Sequence, residues 1–287
     1  MCNINILINK NQKNDRQLLN LLNVMSAISY TNNDDADGCF FIDAKGGKTI
    51  EKSTRKLIYK NTAYAYLSHQ RFSTGGENTD LNAHPFETQN HIIIHNGSFN
   101  AYYHQTYSDT YLFSEEFERI FKKKRNTVKT IQEILKGETG RYSLVIYNKK
   151  EDKIYYVKNE TTDFYVSDNS DYIVASTIKP NTEIALNELQ MDDDIWTPNP
   201  YTIYDFMTWT ELGKVERPKV VYVPKKYKKP KYTSTHWKGS NSDLYDEWDY
   251  WNEDDHLWNS KPKSTSKAER TNSIIEQDLM ELNKMWK

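Results

Sequence analysis

Met1-Cys2-Asn3-Ile4-Asn5-Ile6-Leu7-Ile8 opens the chain. Ile4, Ile6 and Ile8 alternate with polar residues, the period-2 pattern of a half-buried strand, and that strand starts on a cysteine directly behind the initiator methionine. Removal of Met1 would leave Cys2 with both a thiol and a free α-amine. Such an amine titrates at about 7.7 to 8.0, so much of it can act as a base near neutrality, and one residue then supplies nucleophile and base together. Position alone proves little, because some residue must stand there. The weight comes from the segments downstream.

Working outward, Asn14-Asp15 offers a helix cap, and Leu18, Leu21, Leu22, Met25 and Ile28 then recur at helical spacing. Residues 38–42, 63–68 and 91–95 read as further strands. Leu112, Phe113, Phe117, Ile120 and Phe121 mark a second helix, and 128–135 a third, stopped by Gly137. Four short β-rich runs follow at 142–147, 154–157, 164–167 and 172–175, separated by turn residues. The pattern predicts an α+β domain rich in antiparallel sheet, spanning residues 2–216. Composition changes near 217. The 71 residues of 217–287 lack the aliphatic density for a second core and read as a polar, Trp/Tyr-rich tail. It runs from a basic, tyrosine-interleaved stretch at 219–232 through an acidic, tryptophan-rich stretch at 243–258. It ends in a terminal amphipathic helix carrying Ile274, Ile275, Leu279, Leu282 and Met285.

Composition narrows the function. Of 287 residues 37% are hydrophobic, and no run approaches the ~18 apolar residues of a membrane span, so no membrane association is expected. With 38 basic and 40 acidic side chains the net charge is -2, which gives no global field to gather nucleic acid. Lys225, Lys226, Lys228, Lys229 and Lys231 with Tyr227 and Tyr232 make a local basic run whose acidic neighbours partly cancel it, so nucleic-acid binding is not the favoured reading. Two cysteines, Cys2 and Cys39, cannot form a disulfide framework, and the N-terminus carries no secretory pattern. The expected compartment is the reducing cytosol. No cofactor or metal is expected, since no His, Cys, Asp and Glu group has ligand spacing. Gly46-Gly47-Lys48-Thr49 lacks the first glycine of a phosphate loop and reads as a turn. Cys39 reads as a small buried hydrophobe.

Four segments carry the chemistry: Gln70-Arg71-Phe72-Ser73-Thr74-Gly75-Gly76, Asn82-Ala83-His84-Pro85-Phe86, His95-Asn96-Gly97 and Ser108-Asp109-Thr110. Together with Cys2, in this order and at this spacing, they resemble the class II glutamine amidotransferase domain, a member of the N-terminal nucleophile hydrolases. Weaker likeness extends through Gly140-Arg141-Tyr142-Ser143 and Ile173-Val174-Ala175-Ser176, covering roughly residues 2–205. The resemblance implies a four-layer αββα sandwich. It also implies hydrolysis of glutamine to glutamate and ammonia through a Cys2 thioester. The best-known relatives carry a second catalytic domain that consumes the ammonia, and 71 polar residues cannot be that domain. A separate ammonia-accepting synthase is therefore the expected partner, with the tail as candidate docking device or as a solvated extension.

The residues can also be read from their chemistry. Thioester formation places negative charge on the carbonyl oxygen, which calls for preorganised donors. Asn96 and Gly97 offer a side-chain amide and a backbone N–H, although Asn-Gly behind an apolar strand equally signals a hairpin turn. Glutamine is a zwitterion at its α-carbon and wants one cation and one anion. Arg71 presents a planar fork for a carboxylate and Asp109 the opposite charge. Away from these motifs, Arg71 reads as a surface ion pair and Asp109 as a helix N-terminal residue behind Ser108. The resemblance gives Arg71 and Thr74 to the substrate carboxylate, Asp109 to its ammonium and the base role to the Cys2 amine. His84 is left to shape the site or to serve as a structural histidine, and His95 is read as structural. Asn3 stands where the family usually has glycine, which keeps γ-glutamyl and other amides open as substrates. A non-enzymatic interaction protein on this fold is a further alternative, and the joint presence of Cys2, Arg71, Asn96, Gly97 and Asp109 argues against it.

Overall fold

The computed structural model describes residues 2–218. In chain order it comprises β1 (Asn3–Asn9), α1 (Arg16–Tyr30), β2 (Ala36–Ile42), β3 (Lys48–Ser53), β4 (Ala65–Arg71) and β5 (Phe86–Glu87). These are followed by β6 (His91–Ser98), α2 (Asp109–Lys124), α3 (Thr127–Ile134), β7 (Arg141–Asn148) and β8 (Lys153–Lys158). The last elements are β9 (Tyr165–Asp168), β10 (Tyr172–Ser176), α4 (Lys179–Leu189), β11 (Thr202–Asp205) and β12 (Thr210–Lys214). The expected cap is realised at Asp15, whose carboxylate accepts the Gln17 and Leu18 amides at 2.8 and 3.3 Å. The glycine pair near 46 is the β2–β3 turn, with Gly46 at φ +83°.

Two antiparallel six-stranded sheets form, in the orders β3-β2-β4-β1-β10-β9 and β12-β11-β8-β7-β6-β5. The pleat sends alternate residues to opposite faces, and this sorts the core into layers. Ile4, Ile6 and Ile8 of β1 meet Ile92 and Ile94 of β6 and Val145 of β7 between the sheets. Leu7, Tyr66 and Val174 on the outer face of the first sheet pack on Leu18, Leu22 and Met25 of α1 and Ala185 of α4. Ile93, Leu144 and Ile146 on the outer face of the second sheet pack on Phe113 and Phe117 of α2 and Ile131 of α3. The result is a four-layer α+β sandwich of αββα type.

One expectation needs correcting. β1 is buried on both faces, because its polar residues enter a hydrogen-bonded layer under α1 and α4 instead of meeting solvent. Asn5 Nδ2 donates to Gln70 Oε1 at 3.0 Å and Ser29 Oγ at 3.1 Å, while Asn5 Oδ1 accepts from Ser176 Oγ at 2.7 Å and Asn181 Nδ2 at 2.8 Å. Such a strand reads as amphipathic in sequence although no side of it is wet. β3, β5, α4, β11 and β12 were not foreseen. β3 carries one apolar residue, Ile50, on an exposed edge strand, and α4 starts on Lys179-Pro180 with a weak apolar stripe. Cys39 is fully buried. No helix among the described residues is long and apolar enough to cross a membrane. The tail, beyond Arg217 and Pro218, lies outside the described residues.

Candidate active site

β1 starts beside the end of β4, with Asn3 opposite Gln70, so Cys2 stands next to the point where the chain leaves the first sheet after Arg71. From the second sheet β6 brings Asn96 and Gly97 to the same end, and α2 begins there at Asp109. Six of the seven residues singled out in the sequence, Cys2, Arg71, Thr74, His84, Gly97 and Asp109, line one cleft. About 10 Å³ is open within it, roughly the room of one water-sized molecule. A hollow of about 200 Å³ shares Thr74, Gly75 and Asp109 with the cleft and continues past Phe99, Tyr102 and Tyr107.

The Cys2 thiol lies against the peptide of residue 72, donating to the Phe72 carbonyl and accepting the Phe72 N–H, both at 3.3 Å. Burial pushes the thiol pKa up, and the Phe72 hydrogen bond and the nearby Arg71 charge oppose that rise. Behind it, the Ile4 N–H donates to Thr177 Oγ1 at 2.9 Å, which ties β1 to the end of β10.

Arg71 is buried at 3% exposure, and its guanidinium is not an external ion pair. Nη2 donates to Gly75 O at 2.7 Å and Ser73 Oγ at 3.0 Å, and Nη1 reaches Glu77 O at 3.5 Å. The loop after β4 is thus folded back onto its own arginine. Asp35 fastens the loop from the other side, accepting the Ser73 N–H at 2.6 Å and the Asn78 amide at 3.4 Å. Asp109 lines the cleft and also starts a helix. Ser108 caps α2 by accepting the Tyr111 N–H at 3.2 Å, and the Asp109 carboxylate accepts the Phe99 and Thr110 amides at 2.8 and 2.7 Å.

The hairpin reading of Asn96-Gly97 does not hold. Both residues lie inside β6, opposite Ser143 and Tyr142 of β7. Gly97 is required by geometry: it sits at φ +144°, and a Cβ there would fall 1.9 Å from the Arg141 carbonyl oxygen. Asn96 is 3% exposed, and its Oδ1 has no partner among the described residues. Alone among the seven, it is not a lining residue of the cleft.

Three imidazoles crowd the same end. The His84 ring lies against His69 at 3.8 Å, tilted by 32°, and meets Phe86 edge-on at 4.6 Å. His69 Nε2 lies 3.0 Å from the His95 carbonyl oxygen, and His95, which also lines the cleft, has Nδ1 2.8 Å from Thr110 Oγ1. Burial drives all three basicities down, that of His69 to about 3, and the neighbouring positive groups push the same way at His84. Both His84 ring nitrogens are buried without a partner among the described residues. The sequence reading missed His69 and Asp35. His69 was detectable, since it lies two residues before Arg71 on one strand and therefore shares its face; Asp35, in a polar run, carried no signal. Among the described residues no three His, Cys, Asp or Glu side chains converge as a metal site.

A solved structure, glutamine phosphoribosylpyrophosphate amidotransferase from B. subtilis, superposes on 70% of this chain and 46% of its own length at a TM-score of 0.52 with 16% identity. The chain has a class II glutamine amidotransferase-like fold. In sequence, this amidotransferase-like chain is 25% identical to the glutamine–fructose-6-phosphate aminotransferase (isomerizing) of Sulfurisphaera tokodaii over 55% of its own length and 29% of that relative. It is 24% identical to the same-named protein of Thermococcus kodakarensis over 55% of its length and 30% of the relative. It therefore spans less than a third of either curated relative. No family model matches it.

Proposed function

We propose that this chain hydrolyses the side-chain amide of glutamine and passes the ammonia to a separate synthase. The likeness to glutamine amidotransferases supports glutamine amide transfer in general. The single observation that carries the finer reading is the convergence of Cys2, Arg71, Thr74, His84, Gly97 and Asp109 on one cleft. With Met1 removed, the Cys2 amine takes the thiol proton as sulfur adds to the carbonyl carbon of the side-chain amide. Negative charge on the carbonyl oxygen is met by the Asn96 side chain and the Gly97 N–H. The C–N bond then breaks, the amine returns the proton to the leaving nitrogen, and ammonia departs. Water adds to the thioester, the S–C bond breaks, and glutamate and the thiol are restored.

The cleft itself, apart from the adjoining hollow, has no room for glutamine, and on this reading binding moves the loop after β4. Here the α-carboxylate takes over Arg71 from the Gly75 and Glu77 carbonyls, aided by Thr74, and the ammonium meets Asp109. A partner is called for because free ammonia at neutral pH is mostly ammonium, a poor nucleophile. Glutamate release from glutamine by protein of verified intact mass tests the reading. Activity that persists in protein quantitatively retaining Met1 would overturn the self-base mechanism, and absence of glutamate release from protein lacking Met1 would overturn the glutaminase.

A further inference from the structure

We propose that His84 is a catalytic residue whose ring nitrogen accepts a hydrogen bond from the N–H of the substrate's carboxamide and then from the ammonia that leaves. The inference rests on the glutaminase reading above and assigns His84 an atom-level part in it. A carboxamide brings two N–H donors into the cleft as well as the carbonyl oxygen. Asn96 and Gly97 are donors for that oxygen, and the site must also offer an acceptor to the nitrogen or leave a buried donor unpaired, which is destabilising.

Three of the other lining groups already have partners. The Phe72 carbonyl receives the Cys2 thiol, and the Asp109 carboxylate holds two helix and loop amides and faces the amino-acid end of the substrate. His95 is engaged by Thr110 and lies against the Arg141 carbonyl at 3.2 Å. His84 lines the cleft at 4% exposure with neither ring nitrogen bonded. A neutral imidazole always presents one acceptor nitrogen, and the cleft that His84 lines has about 10 Å³ open, roughly the room of one molecule the size of ammonia. Its placement is built in. The His84 carbonyl oxygen lies 2.0 Å from where a side chain on Gly38 would begin, and the ring lies against His69. Burial among His69, His95, Arg71 and Lys52 keeps the ring unprotonated, so it solvates ammonia without converting it to ammonium. His84 neither gains nor loses a proton; the thiol proton still travels through the Cys2 amine.

The test uses the full chain and two substrates, glutamine and glutamate γ-methyl ester, whose leaving group carries no N–H. His84→Phe keeps a ring of similar shape and removes the acceptor. Its kcat/KM for glutamine is expected to fall about tenfold, the effect of one ordinary hydrogen bond, while that for the ester stays within about twofold. His84→Asn, which restores an acceptor oxygen, should bring the amide-to-ester ratio part of the way back. If His84→Phe does not fold, His84→Leu takes its place in the same comparison. Equal loss on both substrates, or no loss on either, overturns the role of His84 alone. An unmodified chain that turns over neither substrate overturns the glutaminase reading and this role with it.

Discussion

Cys2 sits where its thiol is disfavoured as a thiolate: burial raises its pKa and its proton points at the Phe72 carbonyl. On the proposed mechanism its nucleophilicity depends on its own α-amine, which loss of Met1 would expose. Cys2→Ala should abolish glutamine hydrolysis and leave the far-ultraviolet circular dichroism unchanged. Asn96→Ala should lower kcat by roughly 10²-fold or more, the scale of one oxyanion donor. An Asn96 variant with unaltered kcat would remove that side chain from the site, and its absence from the cleft wall makes this the sharper of the two tests. Arg71→Lys should raise KM above all, because a single ammonium cannot replace the fork that holds two partners. The imidazoles make a prediction about pH. His69, His84 and His95 have folded pKa values below the ordinary 6.5. Above that pH neither the folded nor the unfolded chain binds these protons, and stability is unaffected. As pH falls below about 6.5, the unfolded chain takes up protons that the folded chain refuses, and stability drops by up to about 1.4 kcal/mol per pH unit for each histidine. Urea midpoints should therefore decline between about pH 6.5 and 5, before carboxylates titrate, and flat midpoints across that window would contradict the buried neutral cluster.

At the level of elements, two glycines hold the strands that carry the site. Gly38 of β2 gives way to the His84 backbone, and Gly97 of β6 to that of Arg141. Gly97→Ala should destabilise the chain by on the order of 3 kcal/mol, the upper range of overpacking in a core, read as a fall in the denaturation midpoint. Asp15→Ala removes the α1 cap and should cost about 1 kcal/mol without touching KM. The elements also show what could be read in advance. β1 and α1 announce themselves through periods of 2 and 3.6, because aliphatic residues recur along each on a packed face. β3 and α4 do not, since an edge strand needs few apolar residues and α4 packs through a short Ala185, Leu186 and Leu189 stripe. Asn96-Gly97 read as oxyanion donors or as a hairpin turn behind a strand ending at 95, because local sequence cannot see β7, whose pairing carries the strand on to Ser98. The motif residues drew attention through their types and spacing. That Arg71 turns inward onto its own loop was not legible, because two of its three partners are backbone carbonyls of whatever residues follow it.

For the whole molecule, the three packed interfaces of the sandwich lie within residues 2–218. Val215 is buried beneath Tyr201, and the Arg217 guanidinium lies 5.1 Å from the Tyr201 ring centre. A chain ending at residue 218 is therefore expected to fold and hydrolyse glutamine as fast as the full chain. If the remaining residues dock the synthase, glutamine-dependent product formation in the reconstituted pair should fall while ammonia-dependent synthesis survives. Loss of folding on truncation would mean that the segment around Ile274, Leu279 and Leu282 completes the core.

The central position of β1 has a consequence in time. The strand that begins beside Cys2 is closed on one side by β10, and just beyond that strand Thr177 accepts the Ile4 N–H across 173 residues. At about 5 to 20 residues per second, a ribosome needs roughly 10 to 30 s to deliver that second neighbour. If Cys2 acts as proposed, Met1 is best removed within this interval. After it, Cys2 is buried. On the proposed mechanism methionine excision would thus race the closing of a sheet, and a segment fused ahead of Met1 would lose that race from the start.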